Sequence, residues 1–216
     1  MSELRVGGSV RLKGPAEFDR VDISGSLTVD GDLAVKGDLS VSGSASITGN
    51  LSAKRVSISG SLRVDGSIVA SRELEVSGST RAGTIEAASV VVSGSIKAER
   101  VRASEVEIYG GFSGGEIEAS SKVVVGRNSR IYGRIVGGKV IIKRDAEVDE
   151  VIAEEVIVEK GAEVGRLEAI RAVIKRGAEV GELRYVESYE ADKGADIGSI
   201  ARIDSISRRP QPFKGG

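Results

Sequence analysis

The sequence predicts an all-β, single-domain coil of parallel strands, a three-faced β-solenoid of about 12 turns. Three observations carry this. An apolar residue just before a corner recurs at Val6, Ile23, Val41, Ile58, Val76, Val92, Ile108, Val125, Ile142, Val158, Ile174 and Ala191, a mean step of about 17 residues. A second apolar column lies two residues earlier, running from Leu4, Val21 and Leu39 to Ala172 and Tyr189. Residues at i and i+2 of a strand share a face, so each row turns two apolar side chains inward. Gly25, Gly31, Gly37 and Gly49 fall at multiples of six residues, which divides each turn into three short faces.

Each turn then adds one strand per face, stacked about 4.8 Å from the last. The inward columns are Val, Ile, Leu and Ala, and the β-branched members suit a pleated surface. This lets a chain with only 3% aromatic residues form a core.

The corners come in two styles. In the first half they read Ser-Gly-Ser, centred on Gly25, Gly43, Gly60, Gly78 and Gly94. In the second half the special residue moves one place later, to Asn128, Asp145, Gly161, Gly177 and Gly194. All are types that tolerate a left-handed backbone, so both sets read as conformational corners. From Arg127 a third apolar column runs Ile131, Val148, Val164, Val180 and Ile197, and a fourth runs Ile135, Val151, Leu167, Leu183 and Ile200. Outside them, Arg/Lys and Glu/Asp are expected to stack as ladders of like charge, each offset by a flanking ladder of opposite sign.

Along the chain, residues 4–9 already form a repeat row, with no cap expected ahead of them. Pro15 falls between rows, where a missing N–H is tolerable. Residues 110–115 are a glycine-rich corner and not an insertion, because Ile108 to Val125 is still 17 residues. The coil is expected to occupy residues 1–207. Residues 208–216, with Pro210, Pro212, Gly215 and Gly216, read as a short disordered tail.

Composition excludes several functions. Net charge is −1 at pH 7, so no global field favours nucleic acid or an anionic membrane. There is no cysteine and no histidine. This removes disulfides, His/Cys metal sites and the Ser-His-Asp or Cys-His machineries. No cofactor is expected. Met1-Ser-Glu-Leu-Arg carries no apolar run, so the chain reads as cytoplasmic, without a secretory signal or membrane span. Few Asn, Gln, Cys and Met beside abundant Glu, Lys and Arg point compositionally to a hot habitat.

Carboxylates are plentiful, and solenoid enzymes that act on acidic polysaccharides hold Ca²⁺ through acid clusters on one face. The candidates are Asp145, Glu147, Asp149 and Glu150, with Glu154 and Glu155. Lys or Arg beside each acid favours a solvated charged ladder instead, and the sequence shows neither an aromatic-lined cleft nor long loops. Arg208, Arg209 and Lys214 are too few to make a nucleic-acid or lipid site. The chain reads as a non-enzyme.

The rows resemble those of the bactofilins, polymer-forming cytoskeletal proteins of bacteria with archaeal relatives. The resemblance rests on stretches such as Leu33-Ala-Val-Lys-Gly-Asp-Leu-Ser-Val-Ser-Gly and on the ~17-residue period, over residues 4–206. It implies a right-handed three-faced β-helix, consistent with the hand of parallel crossovers. It also implies a homopolymer that forms nucleotide-independent filaments and scaffolds other cytoskeletal or membrane-associated proteins. The short hydrophobic anchor of some members has no counterpart in residues 1–5, which leaves direct membrane binding unsupported. Terminal coils of a solenoid expose strand edges, and uncapped identical units stack into open filaments. The expected polymer interface is Leu4, Val6, Ile200, Ile203 and Ile206. The alternatives are a non-polymerising interaction scaffold and the polysaccharide-acting enzyme.

Overall fold

The computed structural model describes residues 2–213, and every element among them is a strand or a turn. They form a parallel β-solenoid with the ~17-residue spacing, in two compact units, one ending at Ala103 and the other Ser104–Phe213.

In the first unit three strands make one turn. Glu3–Val6, Ser9–Lys13 and Ala16–Phe18 lie parallel to Arg20–Ile23, Ser26–Asp30 and Leu33–Val35 of the next turn. The register places Val6 opposite Ile23, then Val41, Ile58, Val76 and Val92, the column that the sequence spacing predicts. From Ile23 on, this column and its neighbour two residues earlier are fully buried. A second corner is tied by side chains: the Asp32 carboxylate accepts from the Asn50 backbone N–H at 2.7 Å, and Asn50 Oδ1 accepts from the Ser67 backbone N–H at 2.9 Å.

The Ser-Gly-Ser corners form for a different reason from the expected one. The positive-φ residues are Gly14, Gly31, Asn128, Gly133, Asp145, Gly161, Gly177 and Gly194, and none of the Ser-Gly-Ser glycines is among them. What these corners require is space. A Cβ on Gly60 would fall on the carbonyl oxygen of Gly43 and 2.8 Å from the carbonyl carbon of Ser42, one turn below. The close approach arises because one carbonyl serves two donors: Val41 O accepts from Ser59 N at 2.9 Å and from Gly60 N at 3.1 Å. A side chain there has nowhere to go.

In the second unit the corners are left-handed, as the residue types predict. Asn128 and Asp145 have φ of 56° and 58°, and Gly161, Gly177 and Gly194 lie between 71° and 91°. At Gly177 nothing lies within 4 Å of an added Cβ, so only the backbone resists substitution. Gly177→Ala is therefore expected to cost about 1–2 kcal/mol in a urea melt. Both predicted columns appear: Ile131, Val148, Val164, Val180 and Ile197 stack, as do Ile135, Val151, Leu167, Leu183 and Ile200.

The charged ladders depart in part from expectation. Glu147, Glu163, Glu179 and Asp196 do stack as like charges. A second column alternates in sign along Arg134, Glu150, Arg166 and Glu182. Arg134 donates to Glu150 at 2.8 Å, and Arg166 reaches Glu150 at 3.5 Å and Glu182 at 3.2 Å. Coil register, not local sequence, sets which members of this column meet one another. Beside it Arg171 bridges Glu155 at 2.7 Å and Glu187 at 3.0 Å. The Arg171 hydrogen bond holds the Glu155 carboxyl below its ordinary range, and the Arg184 hydrogen bond does the same for Glu182. A carboxylate whose folded pKa is lowered stabilises the fold above the unfolded value near 4.5. That contribution disappears as pH falls through the folded value. Melting temperature should therefore fall on the acid side of about pH 4.5, and Arg171→Met should shrink the acid-side loss.

The segment after the last strand is not a free tail among the described residues. After Arg202 the chain bends and runs back along the flank of its own unit. The Ser207 N–H donates to Glu168, and Arg208 donates to Glu116 at 2.7 Å and to Glu118 at 3.1 Å. The Gln211 N–H donates to Glu118 at 2.9 Å. Its composition reads as a tail because no apolar repeat continues there; buried carboxylates on the flank hold it instead. Lys214, Gly215 and Gly216 lie outside the described residues.

Candidate assembly faces

A solenoid buries its inward columns by stacking the next turn on them, so inward residues that stay exposed mark a face open to another molecule. On the first coil Leu4 is half-buried, whereas Val21 and Leu39 above it are fully buried. Val10 and Leu12 are half-buried where their partners Leu27 and Val29 are buried. Phe18 repeats the pattern against Val35. Val6 is different: it is only 2% exposed, so it belongs to the core rather than to the face.

The last coil of the second unit shows the same transition. Leu183 is buried, but Ile200 stacked on it is 47% exposed. Ala172 and Ile174 are buried, whereas Tyr189 opposite the first is half-buried and Ala191 opposite the second is exposed. Ile197 is half-buried over buried Val180. Tyr185 and Tyr189 pack with ring centroids 4.9 Å apart at 58°, a tilted pair that stiffens this edge. Ile203 is half-buried and keeps the coil's hydrogen bonding, its N–H donating to Tyr185 O at 2.8 Å.

The five residues expected at the interface thus divide. Leu4, Ile200 and Ile203 lie on the outer coils with accessible apolar surface. Val6 is core. Ile206, expected to be exposed, is 8% exposed because the returning segment turns it against the flank.

A flank site escaped the sequence reading. Glu118, Val136, Ile152 and Glu168 stack in register and, by alternation, point outward. Yet Val136 is 0% exposed and Ile152 is 4%, while Val69, an outward residue of the first unit, is 37% exposed. The returning segment is hydrogen-bonded to Glu168 and Glu118, at the two ends of this column. The signal was present as Ile135-Val136-Gly137 and Val151-Ile152-Ala153, where an apolar residue breaks the alternation.

The carboxylates considered for hydrolysis are mostly held by the ladders. Glu147 pairs with Arg130 at 3.2 Å, Glu150 with Arg134 and Glu155 with Arg171, while the Asp149 carboxylate accepts the Gly133 N–H at 2.9 Å. Among the described residues no group of three or more Asp or Glu is arranged to hold a metal ion, and no helix is long and apolar enough to cross a membrane.

Comparison with curated proteins and with solved structures gave no match. A family model described as bactofilin, polymer-forming cytoskeletal, matches residues 4–92 and again residues 57–150. The two overlapping matches suit a domain whose turns are interchangeable along its length. With the repeat and the parallel register in agreement with it, the chain belongs to the bactofilin family of polymer-forming cytoskeletal proteins.

Proposed function

We propose that this chain is a cytoplasmic scaffold that assembles with itself by stacking the first and last coils of successive copies, without nucleotide or metal. The observation that carries the reading is the set of inward residues left accessible on those coils, Leu4, Val10 and Leu12 on one and Ile197 and Ile200 on the other. Each presents apolar surface beside strand edges whose N–H and C=O groups another strand can satisfy. Burying apolar area is worth about 25 cal/mol per Å², and a continued ladder adds main-chain hydrogen bonds. Both gains come only when another coil arrives. Leu4, Ile200 and Ile203 are the side chains assigned to this contact.

Sedimentation velocity over a wide range of protein concentration, in nucleotide-free and metal-free buffer, tests this. The expected result is a distribution that shifts to larger species as concentration rises. A single sedimenting species at every concentration would contradict it.

A further inference from the structure

The returning segment occupies a built track. Glu168 and Glu118 stand three turns apart in register, about 14 Å at the sheet spacing. Ser207 and Gln211, whose N–H groups bind those two carboxylates, are four residues apart, an extended span of about 13–14 Å. Segment and track therefore match in length. They match in chemistry too. Buried Ile206 precedes Arg208, whose guanidinium lies between Glu116 and Glu118, and Val136 and Ile152 form the apolar floor between the acids. Glu118 and Glu168 are 2% and 6% exposed, and carboxylates that deep are retained only with partners.

We propose that segment and track form an exchangeable pair, so that a second copy of this chain seats its residues 206–211 in the track in place of the resident segment. The occupant is a second copy because the track fits residues 206–211 in length, charge and apolar contact together: Ile206 is buried, Arg208 pairs with Glu116 and Glu118, and the Ser207 and Gln211 N–H groups bind Glu168 and Glu118. Exchange replaces every contact by an identical one, which makes swapping of a terminal element a low-cost route to association. Asp204 and Ser205, which join the segment to the last coil, are exposed and give it a place to pivot. This association runs along the flank and does not depend on coil stacking.

The test uses two variants of the 216-residue chain. R208E disables the segment and leaves the track intact. The double variant E116R/E118R disables the track and leaves its own segment unseated. The chain has no cysteine, so Q211C on the second variant takes a donor dye and S121C on the first an acceptor. Mixing is expected to give energy transfer that an unlabelled peptide of residues 204–213 competes away. Adding R208E to the donor chain should abolish the transfer. No transfer on mixing, or transfer that survives R208E on the donor, would overturn the proposal; the latter would assign the association to the coil faces. If circular dichroism shows the double variant unfolded, the labelled peptide is titrated into R208E alone. Binding at least ten-fold tighter than to the unsubstituted chain is expected, and equal or absent binding overturns the proposal.

Discussion

Gly60→Ala is expected to open the coil of the first unit. The added methyl would fall on the Gly43 carbonyl oxygen and within 2.8 Å of the Ser42 carbonyl carbon, both of them backbone atoms. No rotamer change can relieve a clash with main chain. The turn is pinned where it is by Ser59 N and Gly60 N on Val41 O and by Ser61 N on Gly43 O at 2.9 Å. Moving it breaks those bonds, and the next corner cannot absorb the shift, because Gly78 makes the same approach to Ser59. The loss should exceed about 4 kcal/mol, the range reserved for named structural failures. It should also exceed the effect of Gly177→Ala, which carries backbone strain alone. Urea melts of the two variants side by side check the order. A Gly60→Ala midpoint equal to that of the unsubstituted chain would refute the steric account of the Ser-Gly-Ser corners.

Ile200→Asp is expected to leave the monomer folded and to abolish assembly. At 47% exposure the new carboxylate remains hydrated in the single copy. Stacking another coil on it would strip that water without supplying a cation, at a cost of several kcal/mol. Association should weaken by at least about 100-fold, which 2.7 kcal/mol already produces. Val69→Asp is the matched control, since Val69 is outward-facing and 37% exposed but lies on no outer coil. It should assemble normally. Leu183→Asp, one turn below Ile200 and fully buried, should unfold instead. Leu4→Asp tests the other face, whereas Val6→Asp would confuse face with core.

Most of the fold was legible because a solenoid repeats its demands. One period, read at Val6, Ile23 and Val41, specifies the register of every later turn, and the pairing of Val125 with Ile142 or Ile174 with Ala191 follows from it. The left-handed corners were legible from residue type, since Asn128 and Asp145 stand where Gly161 and Gly177 stand later. The Ser-Gly-Ser corners were not, because a glycine kept for lack of space and one kept for its backbone freedom look alike in sequence. The alternating column from Arg134 to Glu182 was hidden as well. Its members are 16 residues apart, and only the coil brings them together. The flank track was least visible. It joins Arg208 to Glu116 and Glu118 across 92 and 90 residues, a distance the repeat does not encode.

The proposed assembly depends on adhesive outer coils. Negative-stain electron microscopy of the purified chain, without nucleotide or metal, tests it most directly when Ile200→Asp is imaged beside it. Filaments from the unsubstituted chain and separate particles from the variant are the predicted result. Separate particles from both, or filaments from both, would contradict it.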